Sequence, residues 1–190
     1  MAAPPSTDPS LNALLHGLVR RAAAAGEPDW LARRRAAALG HLGEIGLPTR
    51  RQEAWRFTEL RPILAILPSP AEPAAHASAT LADAPRLVGP AHRLVLVNGR
   101  VVPALSEVGA LPPGVWLGSL ADAVATRPDL AEAAFHASDT LGAQPFATLN
   151  AGLCADGFVL ALEPGATLAQ PVEILHLAAG GAVHVRSAIL

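Results

Sequence analysis

Asn98-Gly99 stands between two apolar runs, Arg93-Leu-Val-Leu-Val97 and Arg100-Val-Val102, and no other feature of the chain restricts its fold as much. A two-residue turn of type I′ needs positive φ at both central positions, which Asn tolerates and Gly adopts freely, and its twist matches that of the strands it joins. The segment therefore predicts a β-hairpin, and a purely helical chain is excluded.

On either side of the hairpin the pattern is helical. Asp8-Pro9, followed by Leu11, Leu14, Leu15, Leu18 and Val19 at helical spacing, predicts a helix that Gly26 stops. Pro28 opens a second helix in which Trp30, Leu31, Ala38, Leu39 and Leu42 share an apolar stripe. Arg33, Arg34 and Arg35 spread over about 300° of its circumference, so they are read as solvated helix faces rather than one anion site. Thr49 and Gln52 have the spacing of a capping box, which predicts a short helix ending before Pro62. Trp55 and Phe57, two apart, cannot share one face of it, so the chain turns extended near Phe57 or the two rings meet different neighbours, and both are expected to pack inward.

Pro68, Pro70, Pro73, Pro85 and Pro90 forbid a long regular element across the Ala-, Pro- and Ser-rich stretch 68–90. Beyond the hairpin, Ser119 is a good N-cap for a helix at 120–126, Pro128 restarts one to about residue 137, and 145–153 suits a third. Three strand-like runs follow at 158–162, 171–177 and 183–190, divided by the turns Glu163-Pro-Gly165 and Ala178-Ala-Gly-Gly181. Their spacing fits a meander, a sandwich edge or the first rungs of a parallel solenoid, and periodicity does not choose among them. The expected organisation is a helical region at 1–67, a linker at 68–92, hairpin plus helices at 93–153, and the start of a β core at 154–190. Because Ile189-Leu190 lies inside an apolar run without a turn after it, the natural protein is expected to continue.

Composition narrows the function classes. All 14 basic residues of the 190 are Arg, against 16 acidic ones, giving a net charge of −2 that disfavours electrostatic capture of nucleic acid. Without any Lys there is no P-loop, and Gly180-Gly181 is a turn. The longest apolar runs fall short of the roughly 20 residues that span a bilayer, and the N-terminus has no secretory pattern, so a cytoplasmic, non-membrane protein is expected. The single cysteine, Cys154, excludes an internal disulfide and fits a reducing compartment.

Candidate chemistry is sparse. Cys154 with His176 or His184 could be written as nucleophile and base, the basis of a hydrolase reading, yet no Gly-rich elbow frames the thiol, and a core cysteine is the simpler reading. His176 and His184 alternate with apolar residues and could sit on adjacent rungs as metal ligands, but a third ligand is missing from view. Glu107, Asp122, Asp129, Glu132, Asp156 and Glu163 fall at caps and turns, where carboxylates serve backbone N–H groups or solvent. Arg50, Arg51, Arg56 and Arg61 interleave with Trp55 and Phe57, but Glu53 and Glu59 lie among them, so a partner-facing or intradomain role is expected rather than nucleic acid.

The order of four blocks resembles that of SufD-type proteins of the SufB/SufD family, components of iron–sulfur cluster assembly in the SUF system, over their N-terminal part only. Gly46-Leu-Pro-Thr-Arg-Arg-Gln-Glu-Ala-Trp-Arg-Phe-Thr-Glu-Leu60 is similar to the family's P-T/S-basic-basic signature ending in W-R/K-Y/F-T-x-L. Leu96-Val-Asn-Gly-Arg-Val-Val-Pro-Ala-Leu-Ser106 resembles its V-N/D-G-R hairpin, and Phe146-Ala-Thr-Leu-Asn-Ala-Gly-Leu153 with Asp156-Gly157 resembles its lead-in to the core. Pro164-Gly165 through Pro171-Val-Glu-Ile-Leu-His176 is similar to its first rungs. The resemblance implies an α+β fold: an N-terminal helical domain with a β-hairpin, leading into the first rungs of a right-handed parallel β-helix. It also implies a non-enzymatic scaffold component with SufB-like and SufC-like protein partners, or, alternatively, an interaction module without cluster chemistry of its own. The open β-helix end is expected to offer a surface for self-association. The Fe–S cluster implied for the full complex has its ligands in the family's C-terminal part, so no catalytic, cofactor-binding or metal residue is carried onto this chain, Cys154 included.

Overall fold

The structure, a computed structural model, describes residues 27–60, 62, 86–136, 144–178 and 181–190. The helix expected at 8–26 and the linker at 68–85 lie outside the described residues. In chain order the elements are α1 (Asp29–Ile45), a 3₁₀ turn (Glu53–Trp55), β1 (His92–Val97), β2 (Arg100–Val101), a second 3₁₀ turn (Pro103–Leu105), β3 (Val115–Ser119), α2 (Leu120–Thr126), α3 (Pro128–His136), α4 (Pro145–Leu153), β4 (Asp156–Leu162), β5 (Val172–Leu177) and β6 (Val185–Ile189). They form two compact units, 27–60 with 144–154, and 86–136 with 155–178 and 181–190. Among the described residues no helix is long and apolar enough to cross a membrane.

In the first unit, α1 starts where the Pro28 carbonyl accepts from the Leu31 and Ala32 amides and stops at Gly46, whose φ of 68° ends the helix. Leu31, Leu39 and Leu42 of the expected stripe are buried, and α1 packs on α4. The two helices approach so closely at Gly152 that a Cβ there would meet Leu39 Cγ at 2.5 Å, which only glycine permits. Arg35 ties the same contact, pairing with Glu27 and donating to the Gly152 carbonyl at 3.3 Å. The predicted capping box does not form. Only the backbone of Gln52 donates to Thr49, and the segment makes one 3₁₀ turn rather than a helix. Trp55 packs on Phe146, ring centroids 5.4 Å apart, but Phe57 does not turn inward: it is 85% exposed. One helical turn followed by extended backbone sends side chains two apart in opposite directions.

In the second unit the hairpin forms as predicted, with Asn98 at φ 48°, Gly99 at φ 80° and Leu96 opposite Val101. Two three-stranded sheets result, in the orders β2-β1-β5 and β3-β4-β6. β1 and β5 are parallel, Leu94 opposite Ile174. β4 and β6 are parallel too, Asp156 opposite Val185, 29 positions further along the chain. The three C-terminal strands are therefore not a meander, in which consecutive strands would pair antiparallel; β5 leaves the sheet that holds β4 and β6. β3, antiparallel to β4, is a strand that the pattern of 111–117 with its Pro-Pro-Gly did not announce.

β1 is buried on both faces. Leu94 and Leu96 join Leu117 and Leu160 in the main core, while Val95 and Val97 pack beneath Val102 and Leu105. A parallel-paired strand covered on both sides reads as a continuous apolar run, as 94–97 does. Gly157 faces the backbone of Arg186 so closely that a Cβ would lie 1.7 Å from its carbonyl oxygen, so the parallel pairing of β4 with β6 requires glycine there.

Candidate functional site

Cys154 follows α4 with no exposed surface, its amide donating to the Asn150 carbonyl at 2.8 Å. It belongs to the first unit, and His176 and His184 to the second. A sealed thiol is not presented to a substrate, so the structure supports the core reading of this residue. His176 and His184 are not neighbours across one strand pair. His176 lies on β5 opposite Leu96, and His184 precedes β6 in the other sheet. Burial pushes the His184 imidazole below its ordinary pKa. Among the described residues no group of three His, Cys, Asp or Glu side chains could hold a metal.

The carboxylates divide by role. Asp129 takes Arg127 in a two-point ion pair at 2.8 and 3.1 Å, and Glu107 takes Arg86; the hydrogen bond from each arginine holds its carboxyl below the usual range. Glu132 and Glu163 are exposed. Ser119 caps α2, its Oγ accepting from the Asp122 amide at 2.8 Å. Asp156 is buried and joins three elements: from β4 its two carboxylate oxygens accept from the Val101 amide of β2 and the Ala121 amide in the first turn of α2, each at 3.0 Å. It is a helix cap, as carboxylates at such positions commonly are, but it caps a helix 35 residues upstream.

Sequence reasoning missed a buried charge pair. Arg93 on β1 and Glu173 on β5 are register partners with side chains only 6% and 8% exposed, and Arg93 Nε stands 3.4 Å from Glu173 Oε2. The contact is an ion pair by distance without hydrogen-bond geometry, since neither of those atoms is hydrogen-bonded. Glu173 Oε1 accepts instead from the Leu87 amide at 2.9 Å. The only sequence signal is one charge at the same place in two strand-like runs, informative only once the register is known.

β5 and β6 are edge strands, as β2 and β3 are at the opposite ends of the two sheets. Among the described residues nothing pairs with the outer side of β5 or β6. Val172, Ile174 and Val185 pack on the core between the sheets, whereas Ile189, opposite core residue Leu160, is 72% exposed. Backbone donors and acceptors along both strands, with an apolar side chain beside them, are what strand addition uses. A cavity of about 240 Å³ lies where β3 and β4 meet the start of α3, lined by Trp116, Leu130, Leu162, Glu163, Leu190 and Arg127, whose charge is met by Asp129.

Two comparisons bear on the molecule. The family model described as SufBD protein N-terminal region matches residues 15–174. A protein of Synechocystis sp. named as an iron–sulfur cluster assembly SufBD family protein is similar to it, 32% identical over 168 residues that make up 86% of this chain. The chain spans 36% of that relative's length.

Proposed function

The chain belongs to the SufBD family, and on that premise we propose that it serves iron–sulfur cluster assembly as a scaffold component, working through protein contacts in a SufB–SufC–SufD-like complex and not as an enzyme. The cluster is the cargo of that assembly. No ligand to it is assigned to this chain, since Cys154 is sealed in the interior.

The observation that carries the reading is the path β4-β5-β6. β6 returns to lie parallel beside β4 after β5 has crossed to the other sheet, where it stacks on β1. One circuit of 29 positions is how a parallel solenoid starts, and it supports reading these strands as the first coil of a right-handed parallel β-helix. The rim of β5 and β6 is then a surface open to strand pairing with a partner protein. Left uncovered, it brings two copies together.

Deletion of the gene in its host tests the role. Activity of a [4Fe–4S] enzyme such as aconitase should fall, and should return with the wild-type gene and equally with Cys154→Ser. Unchanged aconitase activity on deletion would overturn the reading, and failure of Cys154→Ser alone to restore it would return the thiol to the chemistry.

A further inference from the structure

We propose that Arg50, Arg51, Arg56 and Phe57 form a docking surface for an acidic protein segment that carries an apolar side chain. The proposal is independent of the β-helix reading, since these residues belong to the other unit. The segment that bears them is anchored at both ends, by Leu47 and Leu60, 4% and 8% exposed. Between the anchors its backbone is tied by the bonds Gln52 to Thr49, Trp55 to Gln52 and Thr58 to Trp55, at 2.9–3.0 Å. Arg50 Nε adds a bond to the Arg56 carbonyl at 3.2 Å, and Trp55 packs on Phe146.

A segment held so firmly nonetheless leaves Phe57 85% exposed. The Arg56 guanidinium covers one face of the ring, 4.4 Å from its centroid, and is itself held by Glu53 at 3.0 Å. The other face is open to a partner, on a backbone already ordered by these bonds. Aromatic and arginine side chains set side by side are the residues enriched where interfaces draw their binding energy.

Charge identifies the occupant. Residues 50–57 carry three arginines and one glutamate in a chain whose net charge is −2. A second copy would present the same positive surface to this one, so a symmetric contact is disfavoured. A nucleic acid needs a row of stacking rings along a cationic track, and a long polyanion would also meet the chain's net negative charge. A short acidic segment meets Arg50 and Arg51 beside an Arg56 already paired with Glu53, with Glu59 exposed nearby, and its apolar side chain covers Phe57.

The test is fluorescence anisotropy on the intact chain with three labelled probes: a peptide built of Glu and Leu, its Lys-for-Glu counterpart, and oligothymidylate. The acidic peptide should bind saturably and more weakly as salt rises, and the basic peptide should not bind. Phe57→Ala and Arg51→Glu should each weaken the acidic peptide by about tenfold or more, while Arg33→Glu on the exposed face of α1 leaves it unchanged; circular dichroism checks that all three variants stay folded. Absence of saturable binding, binding by Phe57→Ala and Arg51→Glu as tight as by the wild type, or tighter binding of oligothymidylate would each overturn the proposal.

Discussion

Replacing Asp156 should loosen the second unit at one identifiable point. Its carboxylate accepts two backbone N–H groups at 3.0 Å while almost fully buried, so both bonds are charge-assisted, and the one to Val101 is poorly replaced by water. The bond to Val101, a half-buried position on β2, is worth about 1.5–3 kcal/mol as a hydrogen bond to a charged group. Ala121 is exposed; there the loss resembles removal of a helix cap, about 1 kcal/mol. Asp156→Ala should therefore cost about 2.5–4 kcal/mol. Asp156→Asn keeps one acceptor and turns an NH₂ donor towards the remaining N–H, so it should cost about 1.5–2.5 kcal/mol. Urea unfolding followed by Trp fluorescence measures both, and amide exchange should quicken first at Val101 and Ala121. A loss below about 1 kcal/mol for the alanine variant, or equal losses for the two, would refute the reasoning that a two-bond carboxylate clip joins β2, α2 and β4.

Three further outcomes follow from the same geometry. Arg93→Ala or Glu173→Ala alone should cost about 3–5 kcal/mol in urea unfolding, because each leaves a buried charge without its partner, whereas Arg93→Met with Glu173→Leu should cost less than either. His184 has a folded pKa below its ordinary value of 6.5. The unfolded chain therefore binds the proton more tightly, and stability should fall as pH drops below about 6.5; unfolding midpoints between pH 7.5 and 5.5 should shift less in His184→Gln than in the wild type. Ile189→Lys, at an exposed position on the outer strand β6, should reduce self-association in sedimentation velocity without changing the circular dichroism spectrum.

Local rules were legible where local forces decide. Asn98-Gly99, the Ser119 cap and the helices opened by Pro28, Pro128 and Pro145 all form, because each depends on backbone preferences within a few residues. What the chain hides is pairing. Nothing in 92–97 announces that it lies parallel to 172–177, since the partner is set by the core that both strands cover. For the same reason Asp156 is readable as a cap but not as the cap of α2, and the Arg93–Glu173 pair is invisible before the register is known. Phe57 departs from expectation because the capping box yields to one 3₁₀ turn, and the ring rotates outward with the backbone. The family was legible in four ordered blocks, whereas the site was not, because a strand rim has no side-chain motif.

The most direct measurement is size-exclusion chromatography with mass determination on the chain mixed with its host's SufB-like and SufC-like proteins, followed by amide hydrogen exchange on the isolated complex. The account predicts co-elution in a defined ratio, with protection rising at Val172–Leu177 and Val185–Ile189, two edge strands. Elution of the chain alone, or a complex in which neither β5 nor β6 gains protection, would contradict it.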